Sequence, residues 1–179
     1  MSASTHPQPQ AIPEIWLWLF PLTYLVHVAE EYGGGFYLWI ARLTGGTLTA
    51  KQFLSLNLIF GVVMISAIAL GFWSRAGAWL AGTFGTIVLI NGSAHLLGSI
   101  ITRSYSPGAL SGVLLWIPLG VFALRQAWRQ VPRSSFLFSV VAGVLLHGLV
   151  FLSALSQVRR ETGALAPSSA LIVLPGRSK

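Results

Sequence analysis

Residues 53–73 read FLSLNLIFGVVMISAIALGFW, an apolar run without one charged side chain, interrupted only by Asn57 and the serines Ser55 and Ser66. At 1.5 Å of rise per residue such a run makes a helix of about 30 Å, which is the thickness of a bilayer's hydrocarbon core. Outward from it, further apolar runs occupy residues 77–101, 109–124 and 136–158, and a shorter one occupies 15–31. The sequence is 54% hydrophobic and only 8% charged, against roughly 25% charged in soluble proteins, and its mean hydropathy is +0.74. The expected fold is therefore all-α: a polytopic transmembrane helix bundle of about five spans. Residues 36–43, FYLWIARL, are too short to cross and read as an interfacial or re-entrant segment after the first span. The alternative is one long span over 15–43.

The apolar runs take up most of the chain and leave one membrane domain, residues 15–160, between tails 1–14 and 161–179 that read as disordered. The first tail carries three prolines and neither Lys nor Arg, so it lacks the basic region of a signal peptide. Three glycines at 33–35 mark a break after the first span, and Pro118 marks an irregularity in the fourth. The net charge of +7 would suggest nucleic acid in a soluble chain, but here the arginines stand between apolar runs, where they set topology. Nucleic acid is excluded as a partner on that reading, and membrane lipid is expected. Seven Lys and Arg on one side against four on the other place the N-terminus outside, although Arg125, Arg129 and Arg133 oppose this locally.

The chain has only four acidic residues, and two of them stand together in His27-Val28-Ala29-Glu30-Glu31 at the end of the first run. On a helix, Glu30 and Glu31 lie three and four positions after His27, so both flank the histidine's face. Acids in a last helical turn oppose the macrodipole, so a nearby cation is expected, and Arg42 is a candidate. Two adjacent carboxylates in a low dielectric cannot both ionise cheaply, which predicts a general acid or base beside His27. Asn91 precedes His95 by one turn on the third run, and His147 lies mid-way along the fifth. With five spans, the first, third and fifth run in the same direction. His27, Glu30, Glu31, Asn91 and His95 are thus expected to line one pocket as candidate catalytic residues, with His147 as a further member.

The stretch HVAEE resembles the signature of the HXXEE family, small prokaryotic integral membrane proteins of uncharacterised function. Asn91 to His95 and Pro107-Gly108 resemble that family's later motifs, over a region from Trp16 to His147. The resemblance implies a location in the prokaryotic cytoplasmic membrane and a site, without a reaction. The glutamate pair also resembles that of intramembrane CAAX-type proteases. It departs from them because Gly35 stands where their arginine follows.

Without cysteine, disulfides and thiolate sites are excluded. A His and Glu set suits a divalent metal such as zinc, with His27, Glu30, Glu31, His95 and His147 as candidate ligands. Three classes of function fit. The first is a membrane hydrolase or isomerase using acid-base or metal-assisted chemistry on a lipid-like or hydrophobic small-molecule substrate. The others are a proton-coupled transporter or ligand-binding membrane protein, and a structural subunit in which the polar cluster binds helices together.

Overall fold

The computed structural model describes residues 14–74 and 76–164. The tails expected at the two ends lie outside these residues, apart from Glu14 and 161–164, and so does Arg75. Six helices and no strand are found among the described residues. A 3-10 turn, Glu14–Trp18, leads into α1, Leu19–Gly33. Helices α2, Phe36–Thr44, α3, Ala50–Ser74, and α4, Gly77–Thr102, follow. Next come α5, Ala109–Gln130, and α6, Arg133–Ala164.

Four helices are long and apolar enough to cross a membrane: α3, α4, α5 and the Arg133–Val158 part of α6. The chain is an integral membrane protein. Of the five expected spans the first is the exception, because the 15 residues of α1 rise only about 22 Å. Arg125 and Arg129, expected in a basic loop, belong to the end of α5. Arg129 lies in its last turn, where a cation complements the helix dipole. The expected break after α1 is present. Gly35 adopts φ +72°, a left-handed conformation that costs glycine little, and α2 starts afresh beyond it. A single unbroken helix over 15–43 is thereby ruled out. Before Pro118, the backbone of α5 widens into a π-helical turn over Gly112–Trp116. Pro118 has no N–H to donate to the carbonyl one turn back, so regular α geometry offers nothing there.

Helix α4 is the hub. Glycines along it bring neighbouring backbones close: a Cβ on Gly92 would lie 2.8 Å from the Gly112 carbonyl oxygen, and one on Gly120 would lie 2.8 Å from that of Gly85. Small residues allow this approach where lipid provides no hydrophobic drive between helices. On its other side α4 packs on α6, where the Thr83 hydroxyl donates to the Ser139 carbonyl at 3.2 Å.

Candidate functional site

Leu17, Phe20, Tyr24, His27 and Glu31 are all buried. Their spacing of three and four residues is one helical face, apolar at its start and ionisable at its end. This stripe delivers His27 and Glu31 to the bundle interior. Helix α4 delivers His95, also buried, with Asn91 one turn earlier. The loop after α4 and the start of α5 close the site from the third side. The Ser106 amide donates to the Ser99 hydroxyl, which itself donates to the His95 carbonyl, both at 3.0 Å, and so ties the loop to α4.

The result is a three-sided group. Glu31 Oε1 lies 3.1 Å from His95 Nε2 and 3.6 Å from His27 Nε2. One ligand atom from each of His27, Glu31 and His95 lies within 4.8 Å of the others. The far nitrogens are held by hydroxyls: His27 Nδ1 is 2.8 Å from Ser111 Oγ, and His95 Nδ1 is 3.1 Å from Ser106 Oγ. Trp116 stacks on the His27 ring at 3.6 Å, and the two imidazoles meet edge to face at 5.0 Å. Gly108, at φ +100°, fits against both rings, since a Cβ there would lie 2.8 Å from His95 Cε1 and 2.9 Å from His27 Cε1. Any side chain at 108 would displace the histidines. A cavity of about 140 Å³ adjoins the group, and His27, Glu31, Asn91, His95 and His147 all line it.

Glu30 does something else. Its Oε1 accepts the amides of Gly108 and Leu110 at 3.0 and 2.9 Å, and its Oε2 accepts that of Ser111 at 2.6 Å. The Tyr105 hydroxyl donates to Oε1 as well. Glu30 therefore caps the N-terminus of α5, where free amides and the positive end of the helix dipole favour a carboxylate. It does not line the cavity, contrary to the expectation of one shared pocket. Because the two carboxylates turn apart, their adjacency in sequence does not make them one coupled acid pair. Arg42 does not supply the expected cation either. It is exposed, and among the described residues only His27 and His95 bring a basic nitrogen within 4.0 Å of a glutamate oxygen.

Residues 18–123 match the family described as protein of unknown function with HXXEE motif. The chain belongs to this family. It is similar to the uncharacterized protein YrkK of Bacillus subtilis (strain 168), with 27% identity over 103 residues, or 51% of this chain and 65% of that protein. The chain thus spans somewhat under two thirds of that relative's length. No solved structure matches.

In this member the HXXEE motif is two devices in one helical turn. Its second glutamate faces the histidines, while its first fastens α1 to α5. Ser106, Ser111 and Trp116 complete the surroundings, and sequence reasoning passed over all three. Their one available signal was position, since both serines flank Pro107-Gly108 within a few residues. Phe36 of α2 lies over His95 with ring centroids 5.1 Å apart, so the short segment after the first helix also forms part of the site's wall.

Proposed function

We propose that this protein is a membrane-embedded enzyme, a hydrolase or isomerase of a prokaryotic cytoplasmic membrane. In it His27, Glu31 and His95 hold a divalent cation such as zinc beside a cavity for a lipid-like substrate. The observation that supports this reading most is the orphaned Nε2 of His27. The Ser111 hydroxyl lies 3.5 Å from the Gly108 carbonyl, and when it donates there its lone pairs accept the His27 Nδ1 proton. His27 Nε2 then carries a bare lone pair. It is buried without a hydrogen-bond partner and points toward a carboxylate oxygen, itself an acceptor. Two acceptors facing each other in a buried site need a cation or a proton between them.

A His, His and Glu donor set suits zinc, and a serine hydroxyl on each second imidazole nitrogen orients the ring as an outer partner does. Bound there, such a cation supplies Lewis acidity toward a carbonyl oxygen. The chain's own residues orient and exclude: Ser111 and Ser106 fix the ring planes, Gly108 and Trp116 wall the histidines, and His147, which also lines the cavity, carries protons. Glu30 is a positioning residue that keeps α5, and with it Ser111, in register with α1.

A cluster that only bound helices together would satisfy its own polar atoms, whereas here three residues that line the cavity each have a buried polar atom without a partner. This favours an enzyme over the structural subunit. The test is metal analysis of the purified protein. Stoichiometric divalent metal is expected in the wild type, absent from His27→Ala and Glu31→Gln, and present in Glu30→Gln. A metal-free wild type would overturn the metal and leave His and Glu proton transfer. Unchanged fold and cellular phenotype in His27→Ala, Glu31→Gln and His95→Ala together would overturn the enzyme itself.

A further inference from the structure

Among the described residues, three buried side-chain polar atoms have no hydrogen-bond partner: His27 Nε2, Asn91 Oδ1 and Trp116 Nε1. All three residues line the one cavity beside the histidines. Buried polar groups are satisfied in the great majority of cases, because each one left unmade is costly. Coincidence in a single chamber therefore points to an occupant. The proposed cation accounts for His27 alone. Trp116, which is only 3% exposed, offers an N–H that can donate and never accept. Asn91 Oδ1 offers an acceptor. A group that answers both presents one acceptor and one donor.

We infer that the substrate's polar end is an uncharged amide, its carbonyl accepting from Trp116 Nε1–H and its N–H donating to Asn91 Oδ1, on an amphiphile with a single apolar chain. This deepens the enzyme reading above and rests on it. No Lys or Arg lines the cavity, so no permanently cationic side chain balances a phosphate headgroup, and the proposed cation is already faced by Glu31. An ester would satisfy Trp116 but has no N–H to offer Asn91 Oδ1. Phe53, Leu56, Phe60, Ile87, Val150 and Phe151 give the chamber a large apolar part, which suits an acyl chain. Hydrolysis of such an amide would break the C–N bond, placing water's hydroxyl on the acyl carbon and its proton on the departing nitrogen.

The experiment is equilibrium binding of octanamide, methyl octanoate and octyl phosphate to the metal-loaded full chain in nanodiscs, read against empty nanodiscs, with metal content measured on the same samples. Saturable binding of octanamide is expected, tighter than that of the other two. Trp116→Phe keeps the stacking on His27 and removes only the donor, and Asn91→Leu removes the acceptor. Each is expected to weaken octanamide about tenfold, the size of one buried hydrogen bond, with metal content unchanged. Should Asn91→Leu lose its metal, Asn91→Ser together with Trp116→Phe decides. Equal binding of the phosphate or the ester, or wild-type affinity in the variants, overturns the inference. A wild type that binds octanamide but no metal overturns the metal site and leaves the amide recognition standing.

Discussion

The seam between α4 and α5 and the seam between α1 and α3 are built on opposite plans. At the first, backbone meets backbone: Gly92 against Gly112 and Gly85 against Gly120, with Ala123 fully buried between. At the second, side chains meet across space, and a cavity of about 250 Å³ is lined by Pro21, Leu25, Leu54, Leu58 and Met64 among others. Only Phe53, Met64, Ile68 and Gly71 of α3 are buried. The residues that fix the site's geometry, Asn91, His95, Ser111 and Trp116, belong to the two tight helices. Tyr24 and Asn57 stand between the two cavities, joined by the Tyr24 hydroxyl donating to Asn57 at 2.7 Å. The tight wall thus supplies His95 and the groups that position the histidines, while α1, which carries His27 and Glu31, meets a loosely packed α3 on its other side.

The sharpest way to break this contrast is to put the same kind of change on both seams. Gly92→Ala would place its Cβ 2.8 Å from the Gly112 carbonyl oxygen, and that backbone cannot retreat without separating α4 from α5. A loss of about 3 kcal/mol or more is expected, at the upper end of overpacking costs, together with loss of bound metal. Gly61→Ala meets only Tyr24 Cε1 at 3.3 Å, and that ring has a cavity on either side. The gain in helix propensity, up to about 1 kcal/mol, offsets the contact, so stability within about 0.5 kcal/mol of wild type is expected. Unfolding in detergent measures both. Equal destabilisation would erase the distinction between the seams.

A smaller effect is expected at the joint where α1 meets the tight half. Glu30→Gln keeps one oxygen but turns an NH2 toward the amides that donate to Glu30, so a charge-assisted bond becomes a donor facing a donor. Losing one such bond costs about 2 kcal/mol, or a drop in melting temperature of about 4 to 8 °C for a chain of this size. Metal stays bound, because Glu31 and the histidines keep their contacts. Melting unchanged from wild type would mean that the cap does not hold α1 to α5.

The plan of the fold was legible because hydrocarbon thickness leaves few choices. Four apolar runs became four long helices, and Gly35 ended the first segment where a positive φ was needed. Convergence of His27, Glu31, Asn91, His95 and His147 on one cavity followed from helix direction and from periodicity along α1 and α4. Glu30 was misread because its partners lie 75 to 81 residues away, and helical spacing places it nearly as well against His27 as Glu31. Which of two adjacent carboxylates faces a neighbour depends on how α1 is rotated in the bundle. Ser106, Ser111 and Trp116 matter only through contacts made by that rotation, and no local pattern announces them.

The least of the expected effects tests the same rotation from the loop. The Tyr105 phenol is pushed up to about 12, by burial first and then by the hydrogen bond and negative charge of Glu30. A phenol whose folded value exceeds its ordinary value near 10 binds its proton more tightly folded than unfolded. Its contribution to stability is therefore complete below about pH 10 and is lost as pH rises toward 12. Ultraviolet titration of wild type against Tyr105→Phe should show one phenol ionising later than an ordinary tyrosine. In Glu30→Gln that late step should move back toward 10, because the carboxylate's charge is removed and only a neutral acceptor is left. An identical late step with Glu30 replaced would mean that burial alone holds the phenol, and the contact between the first glutamate of the motif and the α4–α5 loop would lose its electrostatic part.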